Sequence, residues 1–224
     1  MCERLKRKEN LIGIILYGSL AKGNFHNFSD VDLYVVGKEE KERVSSIYVE
    51  DVPVQILWRS IEQFEQKMQK INREHPISKH GRILYDPTGF IKEYFAEINS
   101  KVKFPKPLSK NEKLLLQATL SQDLDIIKGL LEKGRVAEAI ILMNDFTVEA
   151  INAYYDVQKL WMPGKKHIIT DFKQQNLEYG EIAEQVILAS FPSKKLSHLE
   201  RLRDKILDLM GGELREYEIY FDEE

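Results

Sequence analysis

The chain has 224 residues, 43% of them hydrophobic and 31% charged, with a formal net charge of −3 at pH 7. These are the proportions of a folded globular protein of one large or two modest domains, and the slight acidity argues against a general nucleic-acid binder. Cys2 is the lone cysteine, which excludes a disulfide framework and a cysteine-based zinc site.

The opening stretch, MCERLKRKEN, is charged and lacks the apolar core of a signal peptide. No apolar run is long enough to span a bilayer, so a cytoplasmic protein without a membrane role is the expectation. Residues Glu3 to Asn10 are predicted as a charged surface helix leading into a first strand, Leu11 to Tyr17. A polar loop carrying glycine and asparagine precedes a second strand from about Val31 to Val36. The cluster Gly37 to Glu42 reads as a solvated turn. Ile47 to Glu50 and Val52 to Trp58 are rich in β-branched residues and read as extended, with Pro53 implying an edge position or a bulge. Ser60, with Gln63 three residues on, is the capping box of a helix that ends before His75-Pro76. A short strand, Arg82 to Tyr85, then leads through Asp86-Pro87 to a helix from Thr88 to about Asn99.

Lys101 to Lys110, with two prolines and four lysines, reads as an exposed connector. Beyond it the pattern turns helical. Leu114, Leu115, Ala118, Ile126 and Leu130 outline a stripe that stops at Lys133-Gly134. Further helices are predicted from Val136 to about Leu160, from Tyr179 to Ala189 and from Lys195 to Met210, where Gly211-Gly212 ends the last one. The tail after them mixes aromatic and acidic residues and either docks or frays.

Chemistry concentrates in the run LIGIILYGSLAKGNFHNFSDVDLYVV. The first strand ends at Gly18-Ser19, whose backbone N–H groups and hydroxyl suit phosphate oxygens. The second begins at Asp30-Val31-Asp32. On a strand, residues two apart project to one side, and two carboxylates so placed repel unless a cation lies between them. Hard oxygen ligands suit Mg²⁺. A strand end that grips phosphate beside one that grips metal describes a nucleoside triphosphate site. Lys22, in the same loop, is a candidate for the triphosphate, and His26 is undecided. His75, His80, His167 and His198 lack the spacing of a metal pair and read as structural or surface residues; Arg82 either approaches the nucleotide or, the favoured reading, lies on the surface.

Gly18, Ser19, Asp30 and Asp32, with Ser29 before them, resemble the signature of the nucleotidyltransferase superfamily that includes DNA polymerase β and kanamycin nucleotidyltransferase. The resemblance covers about the first half of the chain. It implies an α+β fold: a small mixed sheet with flanking helices as the catalytic domain over 1–104, then an all-α helical bundle over 105–224 that closes on the acceptor. It also implies Mg²⁺-dependent transfer of a nucleoside monophosphate, AMP from ATP, to a hydroxyl of a small molecule such as an aminoglycoside-type antibiotic. Resembling transferases often build the cleft across two subunits, which makes a homodimer an expectation.

Family members carry a third acid on a neighbouring strand. The matching stretch here is Val52-Pro53-Val54-Gln55-Ile56, so Gln55 stands in its place. That acid helps to bind a second metal and the attacking hydroxyl. Gln55 offers a carbonyl oxygen but no charge and no proton acceptor. Three readings stay open: Gln55 is a neutral ligand, Glu50 or Asp51 reaches in, or transfer is lost and nucleotide binding kept, as in a regulatory or antitoxin-like protein. In the resembling antibiotic transferases a helical-domain glutamate activates the acceptor. Asp145, Glu149 and Asn152 share one helix face, and Glu149 is the candidate base, while Asp145 reads as solvated. Asn152 to Tyr155 followed by Trp161 to Lys166 is similar to a stretch of the attached helical domains. The Lys165-Lys166 pair is either phosphate-holding or solvated, and Tyr154 and Trp161 read as interhelical packing.

Overall fold

Short apolar runs, continuous in the strands Leu11–Tyr17 and Val31–Gly37 that are buried on both faces, organise the first half of the chain into a sheet, and period-3.6 stripes organise the second into helices. The computed structural model describes residues 2–6, 10–23, 25–38, 41–69, 76–102, 104–214 and 216–218. It divides into two units, Met1–Lys103 and Phe104–Glu224.

The first unit runs α1 (Cys2–Lys6), β1 (Leu11–Tyr17), α2 (Gly18–Lys22), β2 (Val31–Gly37), β3 (Arg43–Val49), β4 (Val52–Ser60), α3 (Ile61–Gln69), α4 (Pro76–His80), β5 (Arg82–Tyr85) and α5 (Phe90–Lys101). The five strands form one mixed sheet of order β3-β4-β2-β1-β5. β2 and β4 are parallel, and the other pairs are antiparallel. Alternation gives the sheet two apolar faces. On one, Ile15, Tyr34 and Val36 pack with Phe64 and Met68 of α3, Ile77 of α4, and Ile91 and Phe95 of α5. On the other, Ile14, Leu16, Leu33, Val35, Val54, Ile56 and Trp58 pack with Leu5 of α1, and Leu20 and Ala21 of α2 lie against them. The fold is therefore the expected mixed α+β type with a helical region after it.

Several local expectations are corrected. The segment after β1 is not loop throughout: Gly18–Lys22 forms α2. β3 begins at Arg43, four residues before the extended run that its sequence suggested. β4 is interior, between β3 and β2, despite Pro53. The parallel ladder with β2 starts only at Val54, opposite Val31, so the missing N–H of Pro53 lies beyond that ladder. α5 starts at Phe90 rather than Thr88, after Gly89 at φ 80°. α4 fills part of the expected break, while His75 lies outside the described residues. The capping box on α3 is present: the Gln63 N–H donates to Ser60 Oγ at 3.1 Å and the Ser60 N–H to Gln63 Oε1 at 3.0 Å.

The second unit comprises α6 (Lys110–Glu132), α7 (Val136–Val157), a 3₁₀ turn at Lys165–His167, α8 (Ile168–Gln175), α9 (Leu177–Leu188) and α10 (Pro192–Met210). Its core joins Leu120, Leu124, Met143, Phe146, Tyr154, Phe172, Val186, Leu199 and Ile206, among others. The buried face of α6 follows Gln117, Leu120, Ser121, Leu124 and Ile127. Leu115 and Ile126, expected in that stripe, are 45% and 57% exposed. α8 was not foreseen. It crosses α9 so closely that a Cβ on Gly180 would lie 2.6 Å from the Lys173 Cα. Tyr154 is buried, with its ring against those of Phe172 and Tyr179.

Candidate functional site

The antiparallel register of β1 and β2 sets Tyr17 opposite Asp32. One step further, the chain turns at Gly18 with φ +72°, a left-handed conformation that glycine adopts freely. Space makes the same demand. A Cβ on Gly18 would lie 2.0 Å from Asp32 Oδ2, so the Asp32 carboxylate rests directly on the turn. Ser19, the next residue, is 3% exposed, and its Oγ is buried without a hydrogen-bond partner. An orphaned buried hydroxyl costs about 1–3 kcal/mol, which a ligand oxygen would relieve. Tyr17, at the N-cap of α2, makes no side-chain cap bond.

The parallel register of β2 and β4 sets Asp32 opposite Gln55. Partners across a ladder share a face. It is the face on which Tyr34, two residues after Asp32, and Leu57, two residues after Gln55, meet the helix-covered cluster. Gln55 is exposed. Asp30 is half-buried and lies one residue before β2, not within it. A tight turn delivers it: the Ser29 N–H donates to the His26 carbonyl at 2.8 Å and the His26 N–H to Ser29 Oγ at 3.0 Å. The structure therefore brings together Gly18, Ser19, Asp32 and Gln55, with Asp30 at the lip. Glu50 and Asp51 are exposed in the β3–β4 turn at φ 49° and 64°, and about 13 Å of strand separates Asp51 from Gln55 at 3.3 Å per residue.

On the other side of the Gly18 turn the charge is positive. Arg82, at the start of β5, pairs with Leu16 of β1. Burial pushes the His80 imidazole below its ordinary range, and the cations of Lys22 and Lys79 add to that. Lys22 thus lies near α4, at a basic margin formed with Lys79 and Arg82. Sequence reading had favoured a surface role for Arg82, because only the long-range β1–β5 pairing brings it beside the end of β1.

In the second unit, burial raises the Glu149 carboxyl, with Asp123 and Asp145 adding their negative charge. Asp123 is raised by burial as well. Asp145 does share a field with Glu149, as its helical spacing implied. Asp123 comes from α6 and had no local signal. Lys165 and Lys166 are exposed in the 3₁₀ turn. Among the described residues, no group of three or more His, Cys, Asp and Glu is arranged to hold a metal, and no helix is long and apolar enough to cross a membrane.

A Gly-Ser turn thus closes the first strand and faces an acid at the start of an antiparallel neighbour in a mixed sheet. The family model described as a nucleotidyltransferase domain matches residues 1–117, and the chain belongs to that family. A protein of Methanocaldococcus jannaschii named "Putative protein adenylyltransferase" is 31% identical over 126 residues, spanning 49% of this chain and 84% of that protein. The crystal structure of a nucleotidyltransferase-like protein from Exiguobacterium sibiricum 255-15 matches with a TM-score of 0.50 and 11% identity, covering 93% of this chain and 72% of that one. At that identity the likeness is one of fold.

Proposed function

We propose that the protein transfers AMP from ATP to an acceptor hydroxyl and releases pyrophosphate, with Mg²⁺ as the cofactor. The observation that carries this reading is the corner where the Asp32 carboxylate rests on Gly18 beside the unsatisfied hydroxyl of Ser19. Backbone N–H groups at the turn and Ser19 Oγ would hold the β- and γ-phosphates, and the basic margin of Lys22, Lys79 and Arg82 would offset their charge. The oxygens of Asp30, Asp32 and Gln55 are the hard donors that suit Mg²⁺, which when bound supplies charge neutralisation and polarisation at the α-phosphorus. What the chain contributes is position and preorganised charge. The acceptor oxygen forms a bond to the α-phosphorus, the bond from that phosphorus to the bridging oxygen breaks, and pyrophosphate leaves. The hydroxyl proton passes to water as that bond forms.

The name of the Methanocaldococcus jannaschii relative supports an adenylyl donor. It also favours a protein hydroxyl as the acceptor over the small hydroxylated molecule that the sequence resemblance implied. Incubation with α-labelled ATP and Mg²⁺ against a panel of protein and aminoglycoside acceptors tests the reading. Label should move to one class, and Asp32→Asn should reduce transfer by at least about 100-fold, the scale of losing an electrostatic catalytic group. Unchanged transfer by that variant would defeat the assignment.

Gln55 favours a second reading, a regulatory nucleotide-binding protein with weakened chemistry. Calorimetry separates the two: ATP binding that tightens with Mg²⁺ while pyrophosphate never appears would select it.

A further inference from the structure

The register that sets Gln55 against Asp32 has a consequence for metal stoichiometry, one that rests on the nucleotide-site reading above. In two-metal phosphoryl-transfer sites the ions sit about 3.5–4 Å apart. Two doubly charged ions at that separation repel strongly, and anionic ligands must offset the repulsion. Where the family has a third carboxylate, this chain presents a neutral amide on the strand beside Asp32. Among the described residues no set of three His, Cys, Asp or Glu side chains is arranged to hold a metal. Glu50 and Asp51 are held in the β3–β4 turn by left-handed backbone and face solvent.

We infer that the site of Asp30, Asp32 and Gln55 takes a single divalent cation, the one that accompanies the nucleotide, and that Gln55 is the residue that fixes this count. The amide oxygen can add one hard ligand to the cation at Asp32. It brings neither the charge that a second ion requires nor a basic oxygen for the acceptor's proton. An adjacent carboxylate is worth more than about 100-fold in affinity for a doubly charged ion at contact distance, even with strong solvent screening. A carboxylate at position 55 therefore turns a one-ion site into a two-ion site.

The test uses Mn²⁺ as the probe, with electron paramagnetic resonance to count bound ions on the full chain. The chain is saturated with an ATP analogue carrying a methylene between the α- and β-phosphorus, after the ions held by free analogue are subtracted. Wild type should bind one Mn²⁺ per nucleotide complex up to millimolar metal. Gln55→Asp should bind two, the second at least about 100-fold more tightly than any second ion on the wild type, with a spin–spin broadened signal. Gln55 is exposed, so neither Gln55→Asp nor the second variant, Gln55→Glu, disturbs the core. Two comparably tight ions on the wild type overturn the inference while leaving the nucleotide site intact. A count that stays at one in both folded carboxylate variants overturns it too. No nucleotide-dependent Mn²⁺ binding in any form brings down the nucleotide-site reading itself, and the inference with it.

Discussion

Ser19 is the residue whose chemistry is least explained by the fold. A buried hydroxyl with no partner is a stability cost carried at a place where phosphate oxygens would satisfy it. Ser19→Ala should therefore separate stability from binding. Thermal unfolding of the free protein should rise by about 2–4 °C, the equivalent of about 1 kcal/mol in a chain of this size. Calorimetry should show ATP affinity weakened about tenfold, near 1.4 kcal/mol. A variant that loses stability and keeps its affinity would mean that the hydroxyl serves the fold. Gly18 shows why the motif needs glycine rather than a small residue in general: the left-handed φ and the Asp32 carboxylate 2.0 Å from the missing Cβ exclude a side chain independently.

At the scale of elements, the helical unit contains a device with no sequence signal. Lys195 on α10 is 5% exposed, and its Nζ donates to the Val186 carbonyl at 2.6 Å, the Ile187 carbonyl at 3.4 Å and Asn144 Oδ1 at 3.0 Å. It caps the carboxyl end of α9, where unpaired carbonyls and the helix dipole favour a cation. Lys195→Met keeps the apolar stem but orphans those carbonyls, so thermal unfolding should fall by about 3–8 °C, from a loss of roughly 1–3 kcal/mol. An unchanged midpoint would show the contact to be dispensable.

Glu149, Asp123 and Asp145 add a pH dependence. The Glu149 carboxyl is raised in the folded chain above its ordinary 4.5, first by burial and then by the two aspartates. The folded state therefore holds that proton more tightly than the unfolded state, and the stability it contributes is complete below about pH 4.5 and lost as pH rises through the raised value. Glu149→Gln should unfold roughly 1–2 °C higher than wild type at pH 8, with the gap closing at pH 4. A gap that widens on acidification would contradict the assignment.

What was legible in the sequence also sorts by element. Strands β1, β2 and β5 and the capped helix α3 follow short apolar runs and capping, which sequence shows directly. The short helices α2, α4 and α8 do not, because five to eight residues carry too little periodicity to distinguish them from loop. Pro53 suggested an edge because the rule concerns the ladder its N–H would join. It does not foresee that the parallel ladder starts one residue later. Leu115 and Ile126 were misplaced on α6 because Gln117 and Ser121 are buried: the Gln117 Nε2 donates to the Gly212 carbonyl at 2.5 Å, and Ser121 Oγ accepts the Leu214 N–H at 3.0 Å. Polar residues that pair with the chain end hide a buried face from any hydrophobicity pattern.

For the molecule as a whole, the two units differ in how much function can be read from them. The first carries its candidate residues in a compact motif, so Gly18, Ser19 and Asp32 could be named from their order and spacing and Gln55 from the family resemblance, and strand register then sets them side by side. The basic margin of Lys22, Lys79 and Arg82 depends on β5 returning beside β1, a long-range pairing that local sequence does not encode. The acids of the second unit come from two helices, of which only the α7 pair was visible as a helical face.

The most direct measurement of the central claim is a crystal structure of the full chain soaked with Mg²⁺ and a non-hydrolysable ATP analogue. The account expects triphosphate density against Ser19 Oγ and the Gly18 turn, with one cation between those phosphates and the carboxylates of Asp30 and Asp32. A nucleotide bound elsewhere, or seated at the turn with its cation away from Asp32, would contradict it.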